Sequence, residues 1–279
     1  KDAFELYDTY GFPIDLTRLI GLEKGFTVED EAFEEALAAQ KARARADAVK
    51  KVGDWFMVNE IDGVEFEGYD HLDLDGIKIT KYREVDTKKG KQYQIVLDKT
   101  PFYPEGGGQI GDTGFIKVGD EMIQILDTQK ENDMILHYTD RLPENPKSKV
   151  SASVAVQKRR STENNHSATH LMHAALRDVL GDHVQQRGSL VTDKVLRFDF
   201  SHFQKVTHEE IAQVEQIVNQ RIRQNIMLDE KRSIPIKKAK ESGAMMLFGE
   251  KYGDTVRMIT FDKDYSIELC GGCHVPATG

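Results

Sequence analysis

Two motifs far apart in the chain constrain the fold more than any other feature: HSATH at 166–170 and CGGCH at 270–274. On a helix, His166 and His170 stand at i and i+4, so both imidazoles share one face within reach of one ion. His173 lies a turn further along the same side. In the second motif Cys270, Cys273 and His274 surround Gly271-Gly272, a pair suited to a tight knuckle. If both motifs serve one ion, the chain must fold back until helix and knuckle meet, and imidazole with thiolate is a donor set suited to zinc.

Other readings of these letters stay open. Cys-x-x-Cys-His is the attachment signature of a covalent haem, or a redox pair. The haem reading leaves HSATH unused and calls for an exported protein. A disulfide across so short a loop constrains little of the unfolded chain. The histidines can also be plain structural residues that fall near the cysteines by chance. HSATH differs from the HExxH of zinc proteases in having Ser167 where the general base would stand, which argues against that style of peptide hydrolysis.

The chain of 279 residues is long enough for two domains. With 39% apolar and 30% charged residues it has the profile of a soluble globular protein. No run approaches the roughly 20 apolar residues that span a bilayer, and KDAFELYDTYGFPID has no signal-peptide layout. A cytoplasmic protein with no membrane contact is expected. The missing initial Met and the end just after the Cys/His cluster suggest a piece of something longer. A net charge of -9 disfavours attachment to nucleic acid by bulk charge, although local basic patches can still act.

The expected fold class is α+β: an N-terminal helical segment over 1–55, a small β-barrel domain over 56–157, and a zinc-binding α/β two-layer domain over 158–279. Acidic residues at the start and Lys50, Lys51 and Gly53 at the end predict one long helix from Glu29 to Lys51, with Phe33 and Leu37 on its packed face. Alternating segments such as IKITKYREV, QYQIVLD, EMIQILD, MILHYT and KVSASVAV predict strands, with KKGK at 88–91 as a hairpin tip. Beyond Arg160 a helix ending at Gly181 is expected, then a strand with Leu196, Phe198 and Phe200 on one face. A capping box of Thr207 and Glu210 opens a second helix, and two more strands deliver the chain to CGGCH. The loop TPFYPEGGGQIGDTG lacks the Gly-Lys-Ser/Thr of a phosphate-binding loop and the helix that follows a dinucleotide fingerprint. It reads either as a tight connection between strands or as a loop closing over a site built elsewhere.

Taken together, YDTYGFPIDLT, GGGQIGDTG, NHSATHLMHAAL and CGGCH resemble the middle of alanyl-tRNA synthetases, from the end of the tRNA-recognition region through the editing domain. The zinc motifs are also similar to those of stand-alone deacylases of the AlaX type and, more loosely, to the editing domain of threonyl-tRNA synthetases. The resemblance implies zinc ligands at His166, His170, Cys270 and His274, with polar residues of the editing pocket at Thr169 and Gln186. Many relatives have Thr where this chain has Cys273, which marks Cys273 as the spare thiol. The implied activity is hydrolysis of the ester of mischarged Ser-tRNA(Ala) and Gly-tRNA(Ala), within a parent protein that joins alanine to tRNA(Ala). ATP and Mg2+ are expected only in that parent's aminoacylation half. The implied partners are the acceptor end of tRNA(Ala) and the rest of the synthetase in cis, with Lys158, Arg159, Arg160, Arg177 and Arg187 as candidate phosphate contacts. A tRNA-binding appendage with a purely structural zinc is the alternative.

Overall fold

The computed structural model describes residues 2–9, 12–47, 52–61, 63–87, 90–246 and 252–279. The chain divides into two compact units, Lys1–Val52 and Gly53–Gly279.

Among the described residues the first unit holds three helices: α1 (Asp2–Asp8), α2 (Ile14–Glu23) and α3 (Asp30–Asp47). Pro13 opens α2, where its fixed φ of -60° suits a helix start. Phe33 on α3 is the buried anchor, with Phe4 and Tyr7 edge-on at 6.0 and 5.5 Å. The helix end expected at Lys50 and Lys51 lies outside the described residues.

The second unit begins with β1 (Phe56–Met57), β2 (Glu65–Phe66), β3 (Asp73–Ile77), β4 (Ile79–Thr87), β5 (Gly90–Leu97), β6 (Lys99–Thr100), β7 (Gly114–Val118), β8 (Glu121–Ile125), β9 (Asp127–Glu131), β10 (Met134–Thr139) and β11 (Val150–Val154). These strands do not close into the expected barrel. Among the described residues they form an antiparallel sheet β1-β4-β5-β10-β9, a second antiparallel sheet β3-β11-β7-β8, and a short parallel pair β2-β6. Two segments expected to be single strands cross between sheets. IKITKYREV breaks at Lys78, with β3 in one sheet and β4 in the other, and EMIQILD breaks at Leu126 between β8 and β9. Both sheets turn their apolar residues onto one core, where Ile79, Ile95 and Leu97 from one meet Ile77, Ile116, Ile123 and Val150 from the other. Period-two patterning decides which face is buried and leaves sheet edges undetermined, so it fits packed open sheets as well as a barrel. Thr87 pairs with Gly90 at the expected hairpin, whose tip residues Lys88 and Lys89 lie outside the described residues.

The chain then enters α4 (Val156–Leu180), stopped by Gly181 at φ +112°. The hairpin β12 (Gln186–Val191) and β13 (Leu196–Phe200) follows, then α5 (His208–Arg223), β14 (Asp229–Pro235), α6 (Ile236–Glu241), β15 (Thr255–Phe261) and β16 (Ser266–Leu269). The capping box is present, with Thr207 accepting from the Glu210 amide and Glu210 accepting from that of Thr207. Strands β14-β15-β16 form an antiparallel sheet, and α4 and α5 pack on it through Leu171, Val218, Ile259 and Phe261. On the other side of α4, Ala175, Leu176 and Val214 meet the hairpin residues Phe198 and Phe200. The middle of α4 is therefore enclosed, and β16 points the following residues at it. No helix is long and apolar enough to cross a membrane among the described residues.

Candidate metal centre

Helix α4 turns His166 and His170 into the protein, and the segment after β16 brings Cys270 and His274 to them. One ligand atom from each of the four lies within 4.8 Å of the others. The Cys270 Sγ stands 3.4 Å from His166 Nε2 and 3.4 Å from His274 Nε2. A tetrahedral ion with bonds of about 2.0–2.3 Å holds its ligands roughly 3.3–3.6 Å apart, so this separation fits one ion at the centre. Ionisation fits as well. Burial opposes a Cys270 thiolate, but His166, His170 and His274 outweigh it and hold the thiol well below its usual range. Burial, aided by His166, keeps His274 neutral, the form that ligates. Cys273 stands outside this group. It is buried, and burial pushes its thiol up to about 12 despite Arg159 nearby, so it stays protonated.

Two histidines of the group, His166 and His274, are oriented by hydrogen bonds from outside it. The Gln109 side chain, 0% exposed, presents Oε1 to His166 Nδ1 at 2.7 Å and accepts from the Cys273 amide at 2.8 Å. Because that oxygen can only accept, His166 carries its proton on Nδ1 and turns the Nε2 lone pair toward Cys270. Ser167 Oγ lies 3.2 Å from His274 Nδ1 and also accepts from the Val275 amide at 3.1 Å. Ser167, which stands where a zinc protease would have its general base, thus contacts His274. Behind His170 lies Glu268, with Oε2 at 3.8 Å from His170 Nδ1 and Oε1 at 3.2 Å from His173 Nδ1. His173 therefore shares the carboxylate and does not join the group of four.

The glycine-rich loop belongs to the same construction. Gly108 at φ +83° leaves no room for a Cβ against Ser189, and its carbonyl accepts from the Val191 amide at 2.8 Å, docking the loop on β12. That docking delivers Gln109 to His166. At the knuckle, a Cβ on Gly272 would overlap the His166 ring, so glycine is required for the two motifs to touch.

A cavity of about 250 Å³ opens beside the group, lined by His166, Thr169, His170, Gln186, Arg257 and Cys270 among others. Thr169 gives its hydroxyl proton to the Asn165 carbonyl at 2.8 Å, the back-bond ordinary for a helical threonine, and so offers lone pairs to a ligand. Gln186 donates to Ser189 Oγ at 3.2 Å.

The basic residues separate. Arg159 cannot meet a phosphate: it is 1% exposed, bound to Asp112 and to the carbonyls of Gly68 (2.7 Å) and Pro101 (3.0 Å). Its charge is matched by a carboxylate 47 positions upstream, which sequence proximity to Arg160 conceals. Arg160 is exposed and paired with Glu163 at 2.9 Å, Lys158 reaches Thr113 at 3.4 Å, Arg177 binds Asp182, and Arg187 is exposed. Sequence reading missed Gln109, Glu268 and Arg257 as parts of the site. Only Gln109 carried a signal, as a polar residue inside a glycine cluster.

A family profile described as tRNA synthetases class II (A) matches residues 1–193. Among curated relatives, the alanine-tRNA ligase of Cytophaga hutchinsonii is 58% identical over 279 residues, covering 100% of this chain and 32% of that protein. That of Bacteroides fragilis is 55% identical with the same coverage. The Salinibacter ruber alanine-tRNA ligase is 48% identical over 282 residues, covering 99% of this chain and 29% of that protein. The chain spans about a third of the length of the curated relatives it matches.

Proposed function

The chain belongs to the class II tRNA synthetases (A), and on that premise we propose that it is the editing module of an alanine-tRNA ligase, hydrolysing the ester of mischarged Ser-tRNA(Ala) and Gly-tRNA(Ala). The observation that carries this reading is that Thr169 and Gln186 line the same cavity as His166, His170 and Cys270. The parent protein, on this reading, joins alanine to tRNA(Ala) with ATP.

A pocket made for the alanine methyl discriminates poorly against serine or glycine, because such differences are worth only about 1–3 kcal/mol. Errors then have to be removed after transfer, and size alone cannot sort a larger and a smaller mistake from alanine. A site that reads the side-chain hydroxyl separates serine from alanine, and glycine then differs from alanine only by the missing methyl. With its own proton given to Asn165, Thr169 presents acceptors only, so the serine hydroxyl donates to it, and alanine has nothing to donate. Gln186 reaches the same cavity with a carboxamide that both donates and accepts.

His166, His170, Cys270 and His274 would hold a zinc ion, which supplies positive charge and a fixed frame beside the ester. Four protein ligands fill a tetrahedral shell, so these residues organise the cavity wall, and the reacting water is positioned by the substrate's ribose hydroxyl and by backbone amides. Arg160, Arg187, Lys158 and Arg177 are the remaining candidates for the tRNA backbone.

Incubation with mischarged tRNA(Ala) tests the reading: serine and glycine are released faster than alanine, and Thr169→Val lowers the serine preference while the metal stays bound. Equal release of serine and alanine defeats the discrimination argument. Binding of tRNA with no release of any amino acid favours a structural zinc in a tRNA-binding appendage. Binding also weakens with salt, each phosphate contact adding about 0.7–0.9 to the logarithmic slope.

A further inference from the structure

Arg257 is unusually fixed for a cation on a cavity wall. Its Nε donates to Glu230 Oε1 at 2.6 Å, and its Nη1 donates to the carbonyls of Cys270 (2.9 Å) and Gly272 (2.6 Å). The guanidinium lies over the Tyr69 ring at 4.1 Å, and Tyr69 donates its hydroxyl to the Gly271 carbonyl at 2.7 Å. Three successive carbonyls of the knuckle are thus held by two side chains. The Arg257 side chain is 9% exposed.

An arginine has five N–H donors. Nε and Nη1 account for three, and among the described residues no hydrogen bond engages the two on Nη2. Glu230 also pairs with Arg232 at 3.0 Å, and Arg232 is held in turn by Asp70 at 2.7 Å, so the charges of this cluster balance and what Arg257 has left over is its Nη2 donors. A largely desolvated guanidinium, unable to turn away, with two donors left over on the wall of a cavity, is built to take an anion. The inference rests on the deacylase reading, which limits the choice of anion. The amino-acid end of an aminoacyl ester is cationic and the ester is neutral, so the only permanent anion near the bond is a phosphate. We propose that Nη2 of Arg257 binds the phosphate of the nucleotide whose ribose carries the aminoacyl ester, so that the residue clamping the knuckle also sets the substrate's distance from it.

Two non-hydrolysable probes test this: adenosine with serine joined through an amide at the 3′ position, with and without a 5′-phosphate. Each is titrated by calorimetry against the whole zinc-loaded chain. The wild type is expected to bind the phosphorylated probe about tenfold tighter or more, the size of one charge-assisted contact. Arg257→Gln abolishes the gap. Arg257→Lys keeps the charge without the fork and narrows it, and serves where the Gln variant does not fold. Tyr69→Phe loses one knuckle bond and leaves the gap intact. Metal content and the absorption of the cobalt-substituted chain report the knuckle in each variant. Equal binding of both probes by the wild type overturns the phosphate site and leaves the deacylase reading standing. Equal weakening of both probes by Arg257→Gln also overturns it, since Arg257 then only supports the knuckle. If neither probe binds, the deacylase reading itself falls and the phosphate site falls with it.

Discussion

His137 and His170 are both buried in this molecule and titrate in opposite directions. His137 sits among the β4-β5-β10 strands between Thr100 Oγ1 at 2.8 Å and the Ile95 carbonyl at 3.0 Å, and burial lowers its pKa to about 4. His170 suffers the same burial, but the Glu268 carboxylate and the Cys270 thiol reverse it and raise the pKa to about 9. Burial by itself makes a histidine neutral and inert. Converging anions make it a base that releases a proton when a metal arrives, because the ligating form is neutral. The two environments share burial and differ in their neighbours.

The sharpest way to break this contrast is to remove the thiolate. On the proposed reading, Cys270→Ala should lose stoichiometric metal and deacylation together, whereas Cys273→Thr, a change outside the group of four, should keep one metal per chain and the wild-type deacylation rate. Elemental analysis of the purified variants decides it. Loss of metal from Cys273→Thr would show that the wrong thiol has been placed in the site.

The next effect belongs to His137 and acts on stability. Above pH 6.5 the imidazole is neutral in both the folded and unfolded chain. As pH falls, the unfolded state takes up a proton that the folded state refuses, so stability is lost progressively from about pH 6.5 to about pH 4 and no further below. At roughly 1.4 kcal/mol per pH unit the loss is about 3 kcal/mol. Urea denaturation of wild type and His137→Gln should show the variant weaker at neutral pH, with the gap closing by that amount toward pH 4. A gap independent of pH would mean that His137 is not buried neutral.

These two environments were unequally readable from the residue order. The i, i+4 spacing placed His166 and His170 on one helical face, and Thr207 with Glu210 announced a helix start, because both depend on neighbours within a turn. The orienting groups are remote: Gln109 lies 57 positions before His166, and Glu268 lies 95 after His173. Nothing local in the chain says that an alternating segment will break at Lys78 or Leu126 and change sheets, since the apolar period continues across the corner. Arg159 looked like surface charge for the same reason, as its partner Asp112 arrives from the glycine-rich loop. What sequence shows well is which residues can do chemistry. What it hides is which neutral and charged groups surround them, and that is the variable separating His137 from His170.

Orienting groups sharpen the comparison at smaller magnitude. Gln109→Leu removes the acceptor from His166 Nδ1 and from the Cys273 amide while keeping the volume, and should weaken metal binding about 10- to 100-fold, the usual cost of losing such a support. Competition with a chelator measures it, and unchanged affinity would make the glycine-rich loop a connector only.

The smallest expected effect tests whether a hydroxyl does for a ligand what Thr100 does for His137. Ser167 Oγ faces His274 Nδ1 at 3.2 Å, longer than the Gln109 contact at 2.7 Å, and is shared with the Val275 amide. Both acceptors are shared with a backbone amide, so the longer bond to the hydroxyl orients less firmly than the shorter one to the carboxamide oxygen. His274 is also fixed by the backbone of the knuckle, so Ser167→Ala should lower metal affinity by roughly fivefold, about 1 kcal/mol. The parallel change, Thr100→Val, should cost about 1–3 kcal/mol of folding stability by leaving the buried His137 Nε2 without a partner, and should not alter metal affinity at all. Chelator competition and urea denaturation on both variants give four numbers. If Ser167→Ala moves stability and not metal, the serine is part of the fold, and the line between the two histidine environments runs inside α4 instead of around it.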